Sequence, residues 1–262
     1  MNPVLRTLTV TRYVTPLREG GSLPAIAEAD DGKLYVVKFR GAGQGAKALV
    51  AELIGGEIAR ALGLRVPEII FAELDPAFGR TEPDEEIQDL LKASTGLNLA
   101  LAYLSGSHAF DPAVHRLDAR LASEIVWLDA FLTNVDRTAR NTNMLFLNGE
   151  LHLIDHGASL YFQHSGTEWE EASRRPFTQI KDHVLLPAAS ELEKTDARFR
   201  SLLNADLIRA VTFLLPDAWF SYDSWKLSPD KSRDIYNQFL ISRLEHSDVF
   251  VNEAIHARKK VI

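Results

Sequence analysis

Apolar and polar residues alternate in several short segments of the first hundred positions, beginning with residues 5–14. Such a period of two is typical of strands whose two faces meet different surroundings. Residues 16–39 follow the order turn, strand, turn, strand, and residues 30–33 (DDGK) are a strong hairpin signal. The predicted strands cover residues 5–14, two parts of 16–39, 65–74 and 97–107.

A second periodicity, close to 3.6 residues, marks residues 47–64 and 117–133 as helices. Gly63 stands where a C-cap would end the first of them. Residues 75–96 are polar and partly helical, and the pattern from about residue 176 onward is mostly helical. The second half of the chain is therefore predicted to be dominated by helices.

These elements predict an α+β protein with two lobes rather than an alternating βαβ fold. The first lobe, residues 1–103, is expected to be β-rich with one helix. The second lobe, residues 104–262, is expected to be mainly α-helical. Because ligands often bind where two lobes meet, the cleft between them is the expected site.

Composition narrows the class of protein further. The chain has 262 residues, of which 46% are hydrophobic, enough for a sizeable core. Its net charge of -7 argues against a direct nucleic-acid binder, and the absence of cysteine excludes disulfides, thiol nucleophiles and cysteine-based zinc sites. The N-terminus lacks the apolar region of a signal peptide, and the longest apolar stretch is too short to cross a bilayer. We expect a soluble, cytoplasmic protein with no membrane partner.

Candidate chemistry is concentrated in residues 134–162, a polar loop followed by a hairpin. Asp136 can accept or orient the proton of an attacking hydroxyl, and Asn141, five residues later, can offer an amide oxygen to a divalent metal. Asp155 ends the second short strand and could bind the same metal. Asp and Asn are also common turn residues, and Asn148–Gly149 is a hairpin turn in its own right.

Lys38 closes an apolar strand in the first lobe, with Val36 on the same face and Tyr35 and Val37 on the other. Such a lysine can simply extend its ammonium into water, or it can hold nucleotide phosphates. The second interpretation gains weight from the acidic loop, because a base, two metal ligands and a phosphate-binding lysine are the parts needed for phosphoryl transfer.

The order and spacing of these residues resemble the HipA-like kinases, within the protein-kinase-like superfamily. YVVKF resembles the strand that carries the family lysine, and residues 51–68 resemble its helix and following strand. NVDRTARN, at residues 134–141, resembles the catalytic loop and is also similar to the DRHxxN loop of phosphoinositide-type kinases. LIDHG stands where a metal-binding D-F-G is familiar, so the resemblance covers roughly residues 10–160.

This resemblance implies a bilobal protein-kinase-like fold, ATP and Mg²⁺ as cofactors, and a role for each matching residue. Lys38 would contact the α- and β-phosphates, and Asp136 would act as the catalytic base. Asn141 and Asp155 would hold Mg²⁺. Near residue 103 the chain would form the hinge, where Tyr103 and Leu104 offer backbone groups to adenine.

The sequence departs from the family pattern at two places. Thr138 stands where the family loop has a histidine. The nucleotide-covering loop would be residues 18–24, where Gly20 and Gly21 do not complete a G-x-G-x-x-G motif, although backbone N–H groups there could still cradle phosphate. A plain β-turn explains this loop equally well. The resemblance also suggests Ser22, in the same loop, as an autophosphorylation site.

Two pairs of residues leave alternatives open. The family pattern selects Glu52 as the partner of Lys38, whereas a helical wheel places Glu57 inside the apolar arc, where a charge needs a partner. We favour Glu52 and keep Glu57 as the rival. Arg137 and Arg140 are either solvated charges or contacts to a substrate phosphate.

The predicted function is ATP- and Mg²⁺-dependent phosphoryl transfer to a Ser/Thr hydroxyl of a protein. One alternative is a small-molecule kinase with the same fold. Another is a non-catalytic nucleotide-binding pseudokinase or interaction module. The resemblance further suggests an antitoxin-like partner, but no residue of the sequence points to one. His152 and His156 flank Asp155 without forming a convincing zinc site.

Overall fold

The computed structural model describes residues 4–17, 23–43, 45–79, 82–164, 168–221 and 225–262. Its strands are β1 (Thr7–Pro16), β2 (Ala25–Ala29), β3 (Leu34–Lys38), β4 (Ile69–Leu74), β5 (Gly96–Ala102), β6 (His108–Ala109), β7 (Met144–Leu147) and β8 (Glu150–Leu153). Its α-helices are α1 (Ala46–Ala61), α2 (Glu85–Ala93), α3 (Ala119–Leu132), α4 (Trp169–Ser173), α5 (Leu192–Leu202), α6 (Ala205–Phe213), α7 (Pro229–Glu245) and α8 (Ser247–Arg258). The predicted α+β class is confirmed.

The first strands form a closed barrel in the order β1-β2-β3-β5-β4. Neighbours pair antiparallel except β1 and β4, which are parallel, with Thr7 opposite Phe71. The predicted β2–β3 hairpin is confirmed, and Gly32 adopts a φ of 75° in its turn. Side chains such as Tyr35 and Val37 fill the barrel interior, which leaves Val36 and Lys38 to face outward.

The prediction of one helix before residue 103 is wrong, because the described residues of this part contain α2 as well as α1. Asp84 caps α2 by accepting hydrogen bonds from the backbone N–H groups of Glu86 and Ile87. Only Ile87 and Leu91 of this helix are buried, and they pack on the barrel core. The sequence does indicate partly helical character for residues 75–96, but the prediction does not count this segment as a separate helix of the first lobe.

Helix α1 lies between the barrel and the helical part of the chain and is buried on all sides. Every residue from Leu49 to Ala59 is buried, and the helix belongs to the same apolar core as α3 and the later helices. The predicted cap is confirmed: Gly63, at a φ of 87°, donates to the carbonyl of Arg60, and Leu64 donates to the carbonyl of Ala59.

Trp219 joins the helical part of the chain to the barrel. Its indole N–H donates to the carbonyl of Leu97 at 2.9 Å, and its ring meets Phe71 edge-on at 5.9 Å between centroids. Trp219 and Leu97 are 122 residues apart in sequence, and their contact packs the segment after α6 against β5. The division of the chain into lobes at residue 103 stays a prediction.

Helix α3 leads directly into the predicted catalytic loop, and both of its ends are fixed. Asp118 caps its N-terminus through the backbone N–H of Leu121, and the buried guanidinium of Arg243 donates to the carbonyls of Ala130 and Phe131 near its C-terminus. Strands β7 and β8 follow the loop and form a sheet with β6, and the predicted β7–β8 hairpin is confirmed around Asn148–Gly149. None of the helices among the described residues combines the length and apolar character needed to cross a membrane.

Candidate active site

A cleft of about 710 Å³ brings the predicted site residues together from distant parts of the sequence. Its apolar walls come from the barrel strands and from the β7–β8 sheet, which supply Val36, Leu101, Leu145 and Ile154. Its polar lining includes Lys38, Asp136, Arg140, Asn141, Asn143 and Asp155. A mainly apolar cavity with a few convergent polar groups is the usual form of a small-molecule site.

Lys38 is the link between three elements of the cleft. Its ammonium Nζ donates to Glu52 Oε2 of α1 at 2.6 Å and to Asp155 Oδ1, after β8, at 2.7 Å. Burial acts to lower the pKa of Lys38, but the two carboxylates outweigh burial and raise that pKa above its usual range. The lysine therefore carries a fixed positive charge at the end of β3.

Glu52, and not Glu57, is the partner of Lys38. Glu52 is fully buried; burial acts to raise its pKa, but the charge of Lys38 and the adjacent His156 ring lower that pKa to about 2. Glu57 pairs instead with Arg60 at 3.0 Å, and burial raises the pKa of Glu57. The helical wheel misled because α1 is buried on both faces, so lying outside the apolar arc did not mean lying in solvent.

The two glutamates provide a matched pair of variants on one helix. Glu52→Gln is expected to lower the free energy of unfolding by about 3 kcal/mol, because it leaves Lys38 with Asp155 as its single partner. Glu57→Gln is expected to cost below about 1 kcal/mol, since its partner Arg60 is partly exposed. Urea unfolding at pH 7 measures both values, and equal losses would contradict this assignment.

Asp136 is held by amides within its own loop. Its Oδ2 accepts hydrogen bonds from the side-chain amides of Asn141 at 2.7 Å and Asn143 at 3.2 Å, which leaves Oδ1 facing the cleft without a donor among the described residues. Burial raises the pKa of Asp136, and the nearby charge of Asp155 raises it further. A raised pKa makes a carboxylate a stronger proton acceptor than an ordinary aspartate.

A buried ionic network beneath the loop fixes its backbone. Asp129 of α3 accepts hydrogen bonds from Arg137 Nε at 2.5 Å, from Asn134 Nδ2 at 2.9 Å and from His183 Nε2 at 2.9 Å. His183 Nδ1 accepts the backbone N–H of Leu185, so the proton of the neutral ring lies on Nε2. Asn134 Oδ1 in turn accepts the backbone N–H of Asp136 at 3.1 Å. The network thus runs from α3 to the candidate base.

This network corrects the interpretation of Arg137, which is neither a solvated charge nor a phosphate contact. Its side chain is buried with Asp129, and its guanidinium also donates to the carbonyl of Asn143. Arg140 remains exposed at the cleft wall. Thr138, which stands in place of the family histidine, forms an antiparallel bridge with His183, so a histidine from a later segment packs behind the loop.

Sequence reasoning missed Asn143, Asp129 and His183. Asp129 did carry a signal, because an aspartate inside an apolar helix needs a buried partner. Asn143 reaches Asp136 because its backbone adopts a φ of 49°. His183 reaches Asp129 across 54 residues of sequence. Neither feature can be seen in a local sequence pattern.

The oxygens left free at the cleft suit a divalent metal. Asp155, whose side chain is half-exposed, uses Oδ1 for Lys38, and Asn141 uses its amide N–H for Asp136. Asp155 Oδ2 and Asn141 Oδ1 accept no hydrogen bond within the described residues. Mg²⁺ takes hard oxygen ligands and few protein groups. The described residues contain no group of three or more His, Cys, Asp or Glu side chains that would form a richer metal site.

Tyr103 and Leu104 line the cleft just after β5, as the hinge prediction requires. The backbone N–H of Tyr103 donates to Leu34 at 2.9 Å and is therefore not available to a ligand. The N–H of Leu104 has no acceptor among the described residues. Gly20, Gly21 and Ser22 lie outside the described residues, so their predicted roles stay predictions.

Comparisons with known proteins bear on the fold and the family of the chain. The fold is similar to the crystal structure of CtkA, a proinflammatory kinase of Helicobacter pylori, with a TM-score of 0.53 and 13% sequence identity, covering 96% of this chain and 98% of that chain. This similarity shows a kinase-like fold. Golgi casein kinase with Mn/ADP bound gives a TM-score of 0.48 at 12% identity, covering 98% of this chain and 74% of that chain. No curated protein matches the sequence at a significant level. A sequence model of the HipA-like kinases matches residues 10–249.

Proposed function

The chain belongs to the HipA-like kinase family and is a kinase, and from this premise we propose that it transfers the γ-phosphate of ATP, with Mg²⁺, to a Ser or Thr hydroxyl of a protein. The resemblance predicted from the motifs is confirmed, and the matched region extends beyond the expected 10–160 to residue 249. The acceptor class rests on the family resemblance, and the role of each residue rests on the geometry of the cleft.

The observation that carries the proposal is the pair of contacts made by Lys38. Its ammonium is held by Glu52 and Asp155 at 2.6 and 2.7 Å, opposite Asp136 and Asn141 in the same cleft. This lysine is held between two carboxylates, one from each of two distant elements, at the wall of a cavity. Such a charge is suited to bind the α- and β-phosphates of a nucleotide.

Each residue then has one task in the proposed reaction. Lys38 binds and orients the phosphates, and Glu52 keeps the ammonium in place. Asp136 Oδ1 accepts the proton of the attacking hydroxyl, while Asn141 and Asn143 hold Oδ2. Asn141 Oδ1 and Asp155 Oδ2 would bind Mg²⁺, which when bound neutralises charge on the phosphates.

The metal assignment is tested with Asp155→Asn, which keeps the side-chain volume and removes the charge. The variant is expected to lose about a hundredfold in kcat, because an electrostatic contact to the transferring group is lost. The exposed Asp206, which pairs with Arg209 on α6, supplies the control variant Asp206→Asn. The measurement is ATP turnover and phosphate incorporation with Mg²⁺ and with EDTA.

Incorporated phosphate should be found on Ser or Thr by mass spectrometry of the kinase itself and of proteins added from the native host. Transfer to sugars, antibiotics or lipid head groups alone would replace the protein acceptor by a small molecule. Nucleotide binding without any turnover would identify a pseudokinase, and the absence of nucleotide binding would defeat the proposal.

A further inference from the structure

His156 follows the metal-binding candidate Asp155 and packs directly against Glu52. Both side chains are fully buried, and His156 Nδ1 lies 3.8 Å from Glu52 Oε1. Neither nitrogen of the ring, nor Glu52 Oε1, has a hydrogen-bond partner among the described residues. Three unpaired polar atoms within one buried contact are unusual, because buried polar groups are nearly always paired.

The position of the His156 ring is enforced by Gly55 of α1. A Cβ added to Gly55 would lie 2.6 Å from His156 Cβ and 3.0 Å from its Cγ. The backbone of α1 therefore approaches the ring more closely than any other residue type would permit. The backbone N–H of Ser159 donates to the carbonyl of His156 at 3.0 Å, which holds the backbone that carries the ring.

Glu52 needs a second contact to remain aligned with Lys38. Lys38 binds Oε2, so the carboxylate is held by one oxygen and can rotate about that bond. A donor at Oε1 would stop this rotation. His156 Nδ1 lies beside Oε1, and a movement of under 1 Å brings the two atoms from 3.8 Å to hydrogen-bonding distance.

We propose that His156 is a positioning residue that donates Nδ1–H to Glu52 Oε1 and so couples the segment carrying Asp155 to helix α1. This inference rests on the proposed function for its effect on catalysis, although the contact itself does not. The two elements that hold Lys38 are then also joined to each other. An apolar ring at this position would fill the same space and leave Glu52 Oε1 unpaired.

Variants that place a donor at different points of the ring test this proposal. The amide nitrogen of His156→Asn can occupy the position of Nδ1, whereas that of His156→Gln reaches the position of Nε2. His156→Phe keeps the ring and removes both nitrogens. His156→Asn is expected to retain kcat/KM for ATP within about threefold, and His156→Gln and His156→Phe to lose about 10- to 100-fold.

A purely structural role would give a different ranking. His156→Phe would then be the mildest change, because it preserves packing against Gly55, and losses would follow the melting temperature. Circular dichroism melts of all three variants separate stability from positioning. Equal kcat/KM values for the Asn and Gln variants, at equal melting temperatures, would overturn the proposal.

The position of the proton on the His156 ring can be measured directly, without nucleotide and without an activity assay. In ¹⁵N NMR spectra of the nucleotide-free protein, the His156 ring, assigned by its loss in His156→Asn, is expected to carry a proton on Nδ1. A proton on Nε2 alone would overturn the inference even in an active kinase. A protonated Nδ1 in a protein that fails to turn over ATP would leave this contact standing while the proposed function fails.

Discussion

Asp136→Asn is expected to lower kcat by about 10³-fold, because the hydroxyl acceptor loses the group that takes its proton. Asparagine can still accept the hydrogen bonds that Asn141 and Asn143 give to Oδ2, so the loop should keep its shape. Nucleotide affinity should change little, because Lys38 and Asp155 are untouched. Phosphate transfer and isothermal titration with a non-hydrolysable ATP analogue measure these two quantities.

The proposed base, Asp136, is expected to set the acidic limb of the pH profile. Burial and Asp155 raise the pKa of Asp136, so the base becomes protonated at a higher pH than an ordinary aspartate, and activity falls as pH drops through that raised pKa. This limb should disappear in the residual activity of Asp136→Asn. The control is Asp89→Asn on α2, which should keep the wild-type profile. An unchanged limb in Asp136→Asn would show that another group controls it.

The largest expected loss of stability follows from Asp129→Ala. It leaves the guanidinium of Arg137 buried without a counter-charge and takes an acceptor from Asn134 and His183. Removing one partner of a buried ion pair costs about 3–5 kcal/mol, so the variant should unfold at markedly lower urea concentration. Equilibrium urea unfolding at pH 7 measures the loss, and a value below about 1 kcal/mol would contradict it.

The pH dependence of this loss has a defined sign. Burial acts to raise the pKa of Asp129, but Arg137 and His183 outweigh it and hold the pKa far below its usual range. Since the folded state favours the ionised form, the contribution of Asp129 is fully present above the pKa of the unfolded chain, about 3.9. It is lost as pH falls toward the folded pKa. The difference between wild type and variant should be constant from pH 5 to 8 and shrink below about pH 4.

Local patterns in the sequence predicted the residues that point into the cleft. Asp136, Asn141 and Asp155 lie on one loop and one hairpin, so their spacing along the chain nearly determines their spacing in the fold. Strand alternation placed Lys38 on one face with Val36, and the acidic loop and the family resemblance then identified it as a phosphate-binding candidate. These are short-range constraints, and the structure brings all four residues to one cavity.

The residues that hold the four cleft residues in place could not be predicted from local sequence patterns. His183 meets Asp129 across 54 residues, and Asn143 reaches Asp136 because of a left-handed backbone conformation. The family pattern favoured Glu52, but the helical wheel pointed to Glu57 because it could not show that α1 is covered on both faces by elements far along the chain. Long-range packing decided two of these points, and a local backbone conformation decided the third.

The burial of α1 from Leu49 to Ala59 on all of its sides bears on how the protein can be divided. Its apolar residues belong to one core with Leu99 and Leu101 of β5 and with the late helices, and Trp219 adds a hydrogen bond to the same strand. A fragment cut at residue 103 would expose one side of α1 to water, and the remaining helices would lose the surface that covers them. Neither piece is then an autonomous folding unit. The chain should unfold in one cooperative transition, and co-expressed halves should regain their structure only by binding each other.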